Sequence, residues 1–95
     1  MIELIYVPNH TNTVHGKISK FIKLDYLPRT KDEFVIDIED EPYFYFIVNQ
    51  VQHRMCDDIQ CIRIFLSLGI GDHKLEDESE IMNILIEKGG FKDIG

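Results

Sequence analysis

Residues 43–48 read Tyr-Phe-Tyr-Phe-Ile-Val. Aromatic and β-branched residues favour strands, and successive side chains of a strand point to opposite faces. Six such residues in a row make both faces of that strand apolar. A strand of this kind belongs where both faces are covered, so the sequence predicts a central, fully covered strand over roughly residues 43–53. Val48 and Val51 lie three apart and cannot share a face of a regular strand. A β-bulge at Asn49-Gln50 restores the alternation.

The rest of the chain is read against this strand. Ile2, Leu4 and Tyr6 alternate with Glu3, Ile5 and Val7, and Pro8 closes that strand. From Lys17 to Leu27 a second strand sets Ile18, Ile22, Leu24 and Tyr26 on one face and Lys17, Phe21, Lys23 and Asp25 on the other, with a helix over residues 17–24 as the alternative. The turn "LPRTKDE" leads into a half-buried strand at Phe34, Ile36 and Ile38, and "EDEP" is an acidic turn. "RMCDD" reads as a loop, and Ile62, Ile64 and Leu66 as a fifth strand. After "GIGD" the period becomes helical. Asp77 with Glu80 has the form of a capping box. Ile81, Ile84, Leu85 and Lys88 make one face, and Gly89-Gly90 with Phe91 makes a C-terminal stop. The expected fold is α+β, mostly β: a curled antiparallel sheet or small partly open barrel of about five strands, with one C-terminal helix, in one domain over residues 1–95.

The pattern "LPRTKDEFVI", then "FYFIVNQVQHR", then "IRIFLSL" resembles uncharacterised small SH3-like barrel proteins of bacteria and phages. In these a Leu-Pro-Arg turn leads through an acidic residue into one strand, and a Val-x-x-Val-x-His strand follows. The resemblance covers about residues 17–68, with Lys31 standing where those proteins usually carry glycine. It implies a fold and a bacterial or phage setting, and no reaction.

Charge and cysteine content restrict the functions to consider. The formal net charge is −7, which opposes non-specific binding to nucleic acid or anionic membrane. Two cysteines make no disulfide framework, and the N-terminus has neither the basic region nor the apolar length of a signal peptide. No apolar stretch approaches the roughly 20 residues of a membrane-spanning helix. The expectation is a cytoplasmic chain with reduced thiols and no membrane partner.

Three constellations carry possible chemistry. His53, Cys56 and Cys61, with Asp57, Asp58 or His73 to complete a set, are ligand types zinc accepts. The plain alternative is a polar turn with two incidental thiols, and no metal or other cofactor is expected. Lys17, Lys20, Lys23, Arg29 and Lys31, interleaved with Phe21 and Tyr26, are a candidate surface for single-stranded nucleic acid; the alternative is a solvated strand face with its aromatics inward. Asp37, Glu39, Asp40, Glu41, Asp57 and Asp58 are a candidate protein-binding surface, with Asp72, Glu76, Asp77, Glu78 and Glu80 adding to the acidity. Such groups can imitate a phosphate backbone, or simply keep the chain soluble and cap the helix. "GIGDHK" before the acidic helix start reads as a loop. Ser19 and Ser67 lie in no nucleophile motif, and no carboxylate pair stands apart, so an enzyme is not expected.

The function this sequence points to is a small non-enzymatic accessory protein that binds another protein. Its most specific form is an acidic inhibitor occupying a basic nucleic-acid-binding partner. A nucleic-acid-binding barrel using the basic strand is the alternative, and a metal-dependent activity at the His53/Cys56/Cys61 loop is the third.

Overall fold

The computed structural model describes residues 2–9, 13, 15–41, 44–69 and 78–95. Its elements in chain order are β1 (Ile2–Tyr6), β2 (Ile18–Ile22), β3 (Glu33–Ile36), β4 (Phe44–Cys56), β5 (Ile59–Leu68), α1 (Glu78–Glu87) and β6 (Lys92–Asp93). The strands form one open sheet in the order β3-β4-β5-β1-β2-β6. The fold is therefore α+β and mostly β, with one helix near the C-terminus.

The sheet is mixed, where an antiparallel one was expected. β1 pairs antiparallel with β2 and parallel with β5. The β1–β2 hairpin leaves the other edge of β1 free, and the β4–β5 hairpin docks there with β5 alongside. A sixth strand arises because Lys92–Asp93 pair with Ser19 and Ile18 of β2. Two residues carry no readable period, so this strand had no signature in the sequence. β2 stops at Ile22, five residues before the expected end. Ile22 already faces Ile2, at the start of β1, so the residues after it have no strand to pair with. Tyr26 is accordingly 75% exposed.

The aromatic run lies inside the sheet, between β3 and β5. Phe44, Phe46 and Val48 are buried on one face, while Tyr45 and Ile47 are only half-buried on the other. The expectation of cover on both faces fails because the helix and the core lie on one side only. The bulge is present: the β4–β5 register shifts between Val48 and Gln50. It brings Val51 back to the face of Val48, against Ile64.

"RMCDD" is not a loop. Arg54, Met55 and Cys56 continue β4 and pair with Cys61, Gln60 and Ile59. Only Asp57 and Asp58 turn, with φ of 50° and 64°. Two left-handed residues match the twist of a two-residue hairpin, and Asp tolerates that region better than most side chains. The polar composition of the arm hid a strand with solvent on both sides.

Helix α1 packs Ile81, Met82 and Leu85 onto the face formed by Leu4, Tyr6, Ile18, Phe46, Ile64 and Leu66. Leu24 packs against the same core, and Pro28 is buried. The helix ends as its glycines require. The Leu85 carbonyl accepts from the N–H of both Gly89 and Phe91, Gly90 has φ of 79°, and Phe91 is buried in the core. The expected cap at Asp77 lies outside the described residues.

At the other end of α1, Glu78 is 1% exposed, although it was counted among surface acids. Its carboxylate accepts from the Tyr6 hydroxyl at 2.5 Å and from the Asn9 backbone N–H at 2.8 Å. Burial first, and then the bond to Glu78, raise the Tyr6 phenol far above its ordinary pKa. The Tyr6 ring also meets Phe46 edge to face at 5.1 Å. A second tie is more exposed. The His15 ring bonds Asp93 through Nδ1 and Asn83 through Nε2, both at 2.9 Å, and so joins β6 to α1. These bonds, Asp93 first, raise the His15 pKa.

Two substitutions separate packing from the buried polar tie. Phe46→Ala should cost ~3–5 kcal/mol in denaturant unfolding, the usual range for emptying a buried Phe. Tyr6→Phe keeps the ring and removes one donor to a buried carboxylate, and should cost ~1–3 kcal/mol. Losses below about 1 kcal/mol for both would mean that this core is not the one holding the sheet.

Candidate functional site

The register sorts every strand residue onto one of two faces. Opposite the helix lie Glu3 and Ile5 of β1, Ser19 and Phe21 of β2, and Cys61, Arg63, Phe65 and Ser67 of β5. Tyr45, Ile47, Gln52, Arg54 and Cys56 of β4 and Val35 of β3 complete this face. Among the described residues no element packs over it. Phe21 is 61% exposed, and Val35 and Ile59 are exposed as well.

Ile5 is the buried centre of this face, between its cross-strand neighbours Ser19 and Phe65. A shallow depression of about 630 Å³ lies over it, bounded by Lys17, Gln52, Arg54, Arg63, Phe65 and Ile94. A smaller one of about 190 Å³ adjoins it between Phe21, Arg54, Cys56 and Cys61. Glu3 and Arg63 are partners in the parallel register, and their side chains pair at 3.2 Å. At the far margin Tyr45 lies across Gly69. A Cβ on Gly69 would stand 2.5 Å from the Tyr45 ring, so glycine there lets the ring lie flat on the sheet.

The charge of this face is opposite to that of the whole chain. Lys17, Arg54, Arg63 and Lys92 stand on it, against Glu3 and Glu33. Sequence reasoning missed Arg54 and Arg63, because single arginines more than twenty residues beyond Lys31 do not look like a cluster. Their signal was the alternation that aligns them with Phe65 and Phe21.

The basic residues proposed from sequence do not form one stripe. Lys17 belongs to the uncovered face, whereas Lys20 points to the helix side beside Gly90. Lys23 follows the end of β2. Arg29 and Lys31 stand at a turn whose Lys31 N–H bonds the Val48 carbonyl, next to β4. Phe21 and Tyr26 point outward rather than inward.

The acidic residues fall into two groups. Asp57 and Asp58 form the tip of the β4–β5 hairpin. Asp37, Glu39, Asp40 and Glu41 lie before the start of β4, a strand length of about 40 Å away. Asp37, Glu39 and Asp40 line a cleft of about 710 Å³ shared with Lys20 and Lys88. Glu41 already pairs with Lys88 at 2.8 Å.

The candidate metal ligands do not converge. Cys56 and Cys61 share the uncovered face, while His53 shares the face of Val51 and Met55. Among the described residues no three His, Cys, Asp or Glu side chains gather as a metal site. His73 and the "IGDHK" segment lie outside the described residues. No described helix is long and apolar enough to cross a membrane. Compared with known proteins, the chain matches no family model, no curated protein and no solved structure.

If the uncovered face does not hold the fold together, its side chains are replaceable. Phe21→Ser should change unfolding free energy by less than about 1 kcal/mol, as for surface substitutions generally. A loss comparable to that of a buried Phe would show that something packs on Phe21 in the folded chain.

Proposed function

We propose that this protein is a small non-enzymatic binding module that engages another protein through the uncovered face of its sheet. The observation carrying this reading is Phe21, solvent-exposed on a face where aromatic side chains and arginines concentrate and acids are few. Interface cores have this composition, with aromatic residues and Arg enriched and Asp and Glu depleted. An acidic chain with a basic, apolar face suits a partner whose contact surface is apolar within an acidic rim. Charge of that kind acts mainly on encounter rate and partner choice.

The acidic-inhibitor form of the reading draws less support. Its residues stand at two ends of β4, and one group shares its cleft with Lys20 and Lys88, with Glu41 already paired to Lys88. The bacterial or phage setting rests on the resemblance alone. Single-stranded nucleic acid is a second reading for the same face, since Phe21 and Phe65 are stacking surfaces beside Lys17 and Arg54. Protein is favoured because Arg63 is already paired with Glu3, which leaves few cations for phosphates.

A photo-crosslinking residue in place of Phe21, activated in the native cell, should yield one dominant protein adduct. Lys17→Glu with Arg54→Glu should remove it. Fluorescence-anisotropy titrations with single-stranded DNA and RNA at physiological salt should stay flat. A salt-sensitive isotherm at micromolar concentration, abolished by the same two substitutions, would replace the protein partner with nucleic acid.

A further inference from the structure

The longest strand has half of one edge unpaired. β3 pairs with β4 only over Phe44–Ile47, and Lys31 and Asp32 extend that pairing to Val48. From Asn49 to Cys56, β4 is bonded to β5 on one side and to nothing described on the other. This leaves a notch eight residues long, about 26 Å, between the corner of β3 and the hairpin tip. Natural edges are usually blunted by Lys, Pro, inward charge or shortness. This one has only the bulge at its start and Arg54, with no Pro, Lys or acid from Asn49 to Cys56.

The notch has opposite charge at its two ends. At the β3 corner stand Arg29 and Lys31, both exposed and neither in an ion pair among the described residues. The nearby Asp32 carboxylate is turned onto the Arg29 backbone N–H at 2.8 Å. At the tip stand Asp57 and Asp58. A strand edge that is basic at one end and acidic at the other is complementary to itself when turned end for end.

We propose that two copies of this chain pair antiparallel through this edge of β4, about a twofold axis at His53. The register follows from three constraints. Keeping the sheet faces continuous across the axis requires partners on the same face. The edge at Val48 is already taken by Lys31 and Asp32, which excludes an axis at Gln52, since that would pair Cys56 with Val48. An axis at Arg54 would set the two guanidinium groups against each other. With the axis at His53, Met55 faces Val51 of the other copy, Arg54 faces Gln52, and Asp57 faces Asn49. The Asp57-Asp58 tip of each copy then lies beside Lys31 and Arg29 of the other. Met55, 71% exposed in the single chain, is covered by Val51 of the second copy. Each hairpin arm fills the notch of the other, in an isologous contact that closes on itself. This pairing goes beyond the proposed binding face and does not rest on it, although Gln52 and Arg54 border both; it sets two such faces side by side.

Sedimentation equilibrium of the full chain, from micromolar to near-millimolar protein at physiological salt, should show a species of twice the 11.2 kDa chain mass. His53→Asp sets two carboxylates together on the axis and should raise the dimer dissociation constant at least tenfold. Asp57→Asn with Asp58→Gly keeps the turn chemistry of the hairpin, removes the acidic tip, and should weaken the dimer while the fold persists by circular dichroism. Phe21→Ser should leave the dimer intact. For the register, His53→Cys in a Cys56→Ser, Cys61→Ser chain should oxidise to a covalent dimer faster than Gln52→Cys in the same background. A monomer at every concentration, including one whose edge instead takes an extended peptide of another protein, overturns the proposal. So does a dimer indifferent to His53→Asp and to loss of the acidic tip.

Discussion

The bond between Tyr6 and Glu78 fixes how this chain closes. Tyr6 ends the strand that lies between β2 and β5, and Glu78 is the first residue of the only helix among the described residues. A carboxylate at a helix N-terminus is favoured by the helix dipole, but a buried one is costly unless its oxygens are bonded. Here Oε2 accepts from both the Tyr6 hydroxyl and the Asn9 N–H. Sliding the helix along the sheet would separate Glu78 from Tyr6 and leave a buried carboxylate without that donor. The polar pair therefore ties the start of the helix to the end of β1, on the face that the alternation of Leu4, Phe46, Ile64 and Leu66 already makes apolar.

One face is all that a helix of this size can cover, and only in part. Ten helical residues span about 15 Å, against about 43 Å for the thirteen residues of β4. Leu24 extends the cover on the helix side, and beyond Val51 the hairpin arm has solvent on both faces. The uncovered face and the open edge are both consequences of this shortage. The first leaves Phe21, Phe65 and Arg54 available, and the second leaves Asn49–Cys56 unpaired.

The helix, its glycine stop, the bulge and five of the strands were legible because each repeats a local period or ends in a residue with a backbone preference. What could not be read depends on pairs distant in sequence. Nothing near Ile2 or Ile62 says that their strands run parallel, and nothing near Lys92 says that it joins β2. Polarity misled where a strand has no buried face, so Arg54–Cys56 looked like a loop. It misled again at Glu78, where an acid expected on the surface is a core residue because Tyr6 reaches it across seventy-two positions. The candidate site was less legible than the fold. Lys17, Arg54 and Arg63 come together only through the register, whereas the basic run that looked continuous from Lys17 to Lys31 is dispersed by it.

Net charge is a poor guide to this surface because much of the acidity answers local needs. Asp37, Asp40 and Glu41 lie near the C-terminal end of α1, where the helix dipole disfavours negative charge, and Glu87 adds another acid there. That concentration is tolerable because Lys88 holds Glu41 at 2.8 Å and Lys20 reaches into the same cleft from the sheet. Lys20, taken from the basic strand, thus serves the acidic segment, and the two runs that look like rival binding surfaces in the sequence partly neutralise each other. Among the described residues, the cations not used in this way include Lys17, Arg54 and Lys92 on the uncovered face and Arg29 and Lys31 at the corner of the notch. The unpaired cations of this acidic chain therefore stand where the sheet is bare and at the β3 corner of the unpaired edge of β4, whose other end is acidic, the two places at which the fold has apolar surface or backbone still to bury.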